Sequence, residues 1–353
     1  MNKTETTENN GSDSNYPLLD LIQYIASLFV ILIHCGRLSE KVIIHFTLKV
    51  FFGRLAVPIF LITAGYFFCL KQKASPSYAR RYFKRQWKAY LFWSIAYLPY
   101  GIWFIHQVSL DPHLYPVALL VGLGYSGICY HLWYFPALFF GFFLVQKAIK
   151  HFSFPIVFSL CFILFTIGAI ETYSGYLKET PLYAIYAVYR KMFVTTRNGI
   201  FYTPIFILIG FYLATPSITK PRSEKQRWLY LAISAIFLGM ESVIVCSRQG
   251  ADKNFLFSLI PVSFFLMDLL IHSKRLIKMD FSHLRRAGHF LFFLHPIFLE
   301  STKWITGYLG ERPLQGLPLF FVTFALTTLS LKLSTLFRRR GTVRKEKNKI
   351  ATS

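Results

Sequence analysis

Ten predominantly apolar runs follow one another along this chain of 353 residues, at 18–35, 47–70, 89–105, 132–149, 154–170, 199–215, 228–246, 255–272, 288–308 and 316–337. Most come close to the roughly 20 residues a helix needs to cross a hydrocarbon core of about 30 Å. A helix in lipid also pairs all its backbone groups within itself. The expected fold is therefore all-α: a polytopic membrane helix bundle of about ten transmembrane helices. A further run at 114–128 is short and carries Gly122, Gly124 and Gly127, so it reads as a half-helix. Composition points the same way, with 54% hydrophobic and only 16% charged residues. A soluble fold of this length exposes too much surface to hide so many apolar side chains. A soluble enzyme and a nucleic-acid module are both excluded.

An even number of crossings puts both termini on one side. Lys and Arg total 39 against 16 Asp and Glu, a net +23. Most fall in Lys71–Lys88, Lys220–Arg227, Lys274–Arg286 and Arg338–Lys349, all on the side of the N-terminus. That side holds them by about three to one, which places both termini in the cytoplasm of an inner or plasma membrane. The lipid bilayer accounts for the charge, and no nucleic acid is needed. Residues 1–15 read as a disordered cytoplasmic leader, 16–337 as the transmembrane domain and 338–353 as a basic cytoplasmic tail. The first run has no small-residue cleavage site and is expected to stay as an anchor. The five cysteines show no CxxC pair and no histidine at zinc spacing, so neither a disulfide scaffold nor a metal site is expected.

Ionisable residues inside such runs are costly and usually face a cavity or a partner. In the first run Asp20, Gln23, Ser27 and His34 fall within about 60° of one helix face, a stripe about 21 Å long. The stripe is expected to line a polar path ending at His34, near the outer surface. The blander reading is that it only hydrogen-bonds a neighbouring helix. His34 is the candidate general base, because a neutral imidazole takes a proton from a hydroxyl near neutral pH. Arg54 lies in the second run, just before a kink expected at Pro58. It must snorkel, or pair with an acid or an anionic ligand, and Glu241 is the acid considered. His131 stands at the mouth of a run, within TyrHisLeuTrpTyrPhePro. Arg197 and Asn198 end a loop of about 27 residues starting near Glu171, long enough for a binding lid or an aromatic cover. His295-Pro296, in mid-run, suggests cavity lining. On the inner side Arg80–Lys88 reads as a topology signal that could also hold an anionic cofactor.

Several of these segments look familiar together. LeuAspLeuIleGlnTyrIleAla…IleHis (Leu19–His34), ArgLeuAlaValProIlePheLeuIleThrAlaGlyTyrPhe (Arg54–Phe67) and TyrHisLeuTrpTyrPheProAla (Tyr130–Ala137) resemble the acyltransferase-3 family of membrane O-acyltransferases. ThrArgAsnGlyIlePheTyrThrProIlePhe (Thr196–Phe206) and PhePheLeuHisProIle (Phe292–Ile297) extend the likeness. Within the family it is nearest the membrane half of membrane-bound serine racemases of vancomycin-resistance clusters. The resemblance implies that His34 is the catalytic histidine. It implies that acyl-CoA approaches from the cytoplasm and that the acceptor hydroxyl lies near the outer face. Arg81, Lys84 and Arg85 are then the candidate coenzyme A contact. Where the family has Arg or Lys eleven positions before the histidine, this chain has Gln23.

The leading expectation is an acyltransferase moving an acyl group, most simply acetyl from acetyl-CoA, to a hydroxyl of an envelope glycan or lipid-linked acceptor. His34 deprotonates the acceptor, and Arg54, His131, Arg197 and Asn198 position acceptor or acyl carbonyl. A carrier or binding module for a small amino acid such as serine is the rival. A scaffold for envelope-biosynthesis proteins is the third reading. No pyridoxal phosphate is expected, since no residues follow the tail to build a racemase half.

Overall fold

The computed structural model describes residues 15–193, 195–310 and 312–351, with side chains described up to residue 336; the expected leader lies almost wholly outside them. Regular structure among the described residues is helical: α1 (Pro17–His34), α2 (Val42–Phe46), α3 (Ala56–Ala74), α4 (Tyr78–Ala96), α5 (Leu98–Gln107), α6 (Tyr115–Val121) and α7 (Tyr134–His151). Then come α8 (Phe154–Tyr173), α9 (Leu182–Phe193), α10 (Thr203–Leu213), α11 (Glu224–Ser247), α12 (Leu259–His272), α13 (Ser282–Leu309) and α14 (Gly316–Ala351). Five stretches are long and apolar enough to cross a membrane: Pro17–His34, Val42–Ala74, Phe154–Tyr176, Glu224–Ser247 and Gly316–Leu336. The chain is an all-helical membrane protein.

Helix α10 is apolar all round, and every residue of it except Tyr212 is buried. A helix with no polar face is stable only where protein or lipid surrounds it. Here α3, α7 and α8 surround it. Its closest partner is α3, because Gly65 and Gly210 let the two backbones touch. A Cβ at Gly65 would stand 2.5 Å from the Ile207 carbonyl oxygen, and one at Gly210 would stand 2.3 Å from that of Ile62.

The runs at 199–215 and 255–272 do not hold full-length helices. Their helices have 11 and 14 residues and follow largely buried irregular backbone at 195–202 and 251–258. Such backbone survives inside a membrane protein only if side chains satisfy its polar groups. The Phe257 and Ser258 N–H groups donate to Glu241 at 2.7 and 2.8 Å, and the Tyr173 and Ser258 hydroxyls donate to the same carboxylate. Phe255 N–H donates to the Thr172 hydroxyl at 3.1 Å. Glu241 thus anchors the start of α12. The pairing considered with Arg54 does not form, because this carboxylate already has four donors.

The winding also changes around Arg54. Helix α2 runs into a π turn at Thr47–Phe52 and a 3-10 turn at Gly53–Leu55 before α3 begins. Pro58 contributes by offering no N–H to the Arg54 carbonyl. The stretch expected as a long loop from Glu171 contains α9, a 12-residue helix with Tyr186 buried and Ile185, Val188 and Met192 outward. Its apolar residues repeat at helical spacing, and that outweighs the loop reading.

Candidate active site

The first-run stripe faces α13. Asp20 accepts from Arg285 at 3.0 Å, Ser27 Oγ lies 2.9 Å from where a Cβ of Gly288 would be, and the His34 ring stacks on His295. These pairs run in the same order along both helices, so α1 and α13 are parallel. Ser27 also donates back to the Gln23 carbonyl at 3.0 Å. At Asp20 and Ser27 the expected polar path is therefore a packed seam between helices. Gln23 keeps accessible surface and its amide bonds no described residue.

The arrangement is different at His34. Its ring centroid lies 4.4 Å from Tyr130 and 5.9 Å from His295, and His295 lies 5.6 Å from His131. The His295 Nδ1 is 3.0 Å from the Leu291 carbonyl oxygen. A carbonyl only accepts, so Nδ1 carries a proton, and Nε2 is buried without a described partner. Pro296 follows it inside α13 and has no N–H for the Phe292 carbonyl. Tyr97 supports the same turn, donating to the Phe293 carbonyl at 2.6 Å.

Four side chains around this cluster have buried polar atoms with no described partner: Arg54 Nε, the Tyr130 hydroxyl, both nitrogens of His131, and His295 Nε2. Buried polar atoms are nearly always bonded, so such a concentration needs an explanation. His34, Arg54 and Arg197 meanwhile keep accessible surface although protein surrounds them. Polar atoms left open beside accessible side chains are able to bond a polar ligand.

Arg54 donates from Nη1 to Asn254 Oδ1 at 2.6 Å, and Asn254 donates to Asp252 at 2.7 Å. Its partner is an amide backed by a carboxylate, both in the short polar stretch 251–254 that sequence reasoning passed over. That stretch, placed just before an apolar run, was the signal available. The Arg197 guanidinium lies 4.8 Å over the Trp133 ring, a cation–π contact. Asn198 is used by its own turn. It donates to the Tyr125 hydroxyl at 2.6 Å and accepts from Ile200 and Phe201 N–H at 2.8 and 3.0 Å. Its described bonds thus hold the turn that carries Arg197.

The candidate coenzyme A contacts lie along α4. Lys84 and Arg85 are exposed, while Arg81 bonds the Ser75 and Ser77 hydroxyls of the preceding turn. Arg85 and Arg285 both reach His289 with their charge. His289 lies six residues before His295, about 9 Å along α13. About one turn of α1 before Gln23, α13 brings Arg285 to Asp20. Among the described residues no three His, Cys, Asp or Glu side chains are placed to hold a metal ion.

Chemically, the cluster offers an imidazole base, a second imidazole nitrogen without a described partner and two guanidinium groups within electrostatic reach of His34. That set can deprotonate a hydroxyl and hold an oxyanion. The family model described as an acyltransferase domain, acyltransferase-3, matches residues 16–335. The chain is 32% identical over 301 residues to a serine/alanine racemase of Enterococcus gallinarum, a match covering 82% of this chain and 41% of that protein. It is 27% identical over 337 residues to an amino-acid racemase of Enterococcus faecalis, covering 91% and 46%. The chain therefore spans less than half the length of these curated relatives. No solved structure matches it. With the family's domain covering almost the whole helix bundle, the chain belongs to the acyltransferase-3 family.

Proposed function

We propose that this protein transfers an acyl group, acetyl in the simplest case, from acyl-CoA on the cytoplasmic side to a hydroxyl of an envelope glycan or related acceptor near the outer face of the cell membrane. What carries the proposal is the concentration of unpartnered buried polar atoms around an accessible His34. In the reaction the acceptor oxygen bonds to the acyl carbon and gives its proton to His34. The carbon–sulfur bond then breaks, and His34 returns the proton to the departing thiolate. Arg54 and Arg197 hold negative charge beside the reacting centre, and Lys84 and Arg85 meet the phosphates of coenzyme A. Positive-inside asymmetry supports the orientation. His34→Ala at unchanged expression is expected to remove acyl incorporation into envelope material by at least about a hundredfold. Unaltered incorporation would sink the assignment.

The names of the racemase relatives, together with Gln23, favour a second reading: a membrane carrier or binding module for a small amino acid such as serine. Binding of labelled acetyl-CoA to purified protein separates the two, because a serine carrier has no use for it.

A further inference from the structure

At the His34 end of the bundle positive charge exceeds negative. Arg54 stands within electrostatic reach of Lys49, Arg197 and Lys253, and none of the four forms an ion pair with a described residue. The carboxylates in the field of the two arginines are Asp252 and Glu171; Glu300, in the field of Tyr130, is paired with Lys303 at 3.2 Å. The first two are already engaged: Asp252 by the Thr172 hydroxyl and the Asn254 amide, Glu171 by the Thr196 N–H and hydroxyl at 2.8 and 2.6 Å. The two guanidinium groups are the least satisfied members. Arg54 uses one donor on Asn254 and leaves Nε buried without a described partner, while the Arg197 guanidinium donates no described hydrogen bond and only covers Trp133. A guanidinium keeps its charge and carries five donors. Cations held inside a membrane bundle pair with an anion or line a route for one.

We propose that the acceptor is an anionic alcohol, with a carboxylate or phosphate a few atoms from the reacting hydroxyl. The oxyanion sits between Arg54 and Arg197, where planar donor pairs suit it, and the hydroxyl then lies against His34. The hydroxyl's role as acceptor rests on the acyltransferase reading; the oxyanion site does not. The reaction keeps the balance given above: one C–O bond forms, one C–S bond breaks, and the hydroxyl proton passes through His34 to the thiol.

Three small probes of similar size test it on the full chain in nanodiscs: glycerol 3-phosphate, glycerate and neutral glycerol. Equilibrium binding is measured for each, and thiol release from acetyl-CoA is followed in parallel. At least one of the two anions is expected to bind about tenfold tighter than glycerol, and their ratio tells phosphate from carboxylate. Arg197→Gln and Arg54→Gln are each expected to lower anion affinity about tenfold or more, with Arg54→Lys recovering part. If Arg54→Gln does not fold, Arg197→Gln decides alone. Equal binding of glycerol, no binding of either anion at tens of millimolar, or anion binding unchanged in a folded Arg197→Gln protein would each overturn the proposal. His34-dependent thiol release with glycerol as effective as the anions removes the proposal and leaves the acyltransferase reading. Arginine-dependent anion binding without thiol release does the reverse.

Discussion

Replacing Gly65 by alanine puts the seam between α3 and α10 under a load the structure lets us size. The new Cβ would lie 2.5 Å from the Ile207 carbonyl oxygen and 3.3 Å from its carbonyl carbon. A carbon meets a carbonyl oxygen comfortably at about 3.3–3.6 Å, so the gap falls short by about an ångström. Both surfaces are helix backbone, so no side chain can swing away to make room. The helices must separate, at a cost of about 1–3 kcal/mol, and the central position of α10 argues for the upper half. Gly239, in the middle of α11, is the control. Its nearest atom to an added Cβ is a Phe51 ring carbon at 3.9 Å, so Gly239→Ala meets no clash and gains up to about 1 kcal/mol of helix propensity. The two alanines should therefore shift stability in opposite directions. Equilibrium unfolding in mixed micelles, followed by tryptophan fluorescence, measures both. Gly65→Ala and Gly210→Ala combined should cost less than their sum, because the first already separates the helices. If Gly65→Ala matched Gly239→Ala in sign and size, the close seam would be refuted.

The ion pair between Asp20 and Arg285 should respond asymmetrically. Arg285→Ala strands a buried carboxylate and costs about 2–3 kcal/mol, while Asp20→Asn leaves a half-exposed guanidinium that reaches water and costs under about 1 kcal/mol in the same unfolding assay. Equal losses would contradict the burial difference. Glu241→Gln should cost about 1.5–3 kcal/mol and raise amide hydrogen exchange at residues 255–258; unchanged exchange there would show that the carboxylate is not their anchor. His295→Asn keeps a donor for the Leu291 carbonyl but offers no ring nitrogen. It should lower kcat about a hundredfold with KM steady if the unpartnered Nε2 takes part in proton transfer, and full activity would exclude that part.

The residues that gather in the candidate site were legible one at a time. His34, Arg54, His131 and Arg197 each stood out as a polar group beside or within an apolar run, and the structure brings the other three within electrostatic reach of His34. Their neighbours were not legible, because a single helix face does not say which helix it meets. Asp20 and Ser27 looked like path lining and are spent on α13 instead. Glu241 was the acid of the right depth for Arg54, yet the donors of an unwound segment claim it first. That unwinding was hidden for a physical reason: PheLeuPhe at Phe255–Phe257 is as apolar in extended backbone as in a helix. Hydropathy reports burial in lipid or protein and is silent about winding.

A residue with no proton to give helps decide where its neighbour keeps one. Because Pro296 leaves the Phe292 carbonyl without a backbone donor, that oxygen stays open next to the Leu291 carbonyl that holds the His295 ring. Any other amino acid at 296 would bring an N–H to compete for the Phe292 oxygen. The exchange would loosen the imidazole's orientation without altering the rings of His34 and His131 beside it. Chemistry at this centre is thus set partly by what the backbone lacks, one residue away from the ring it steers.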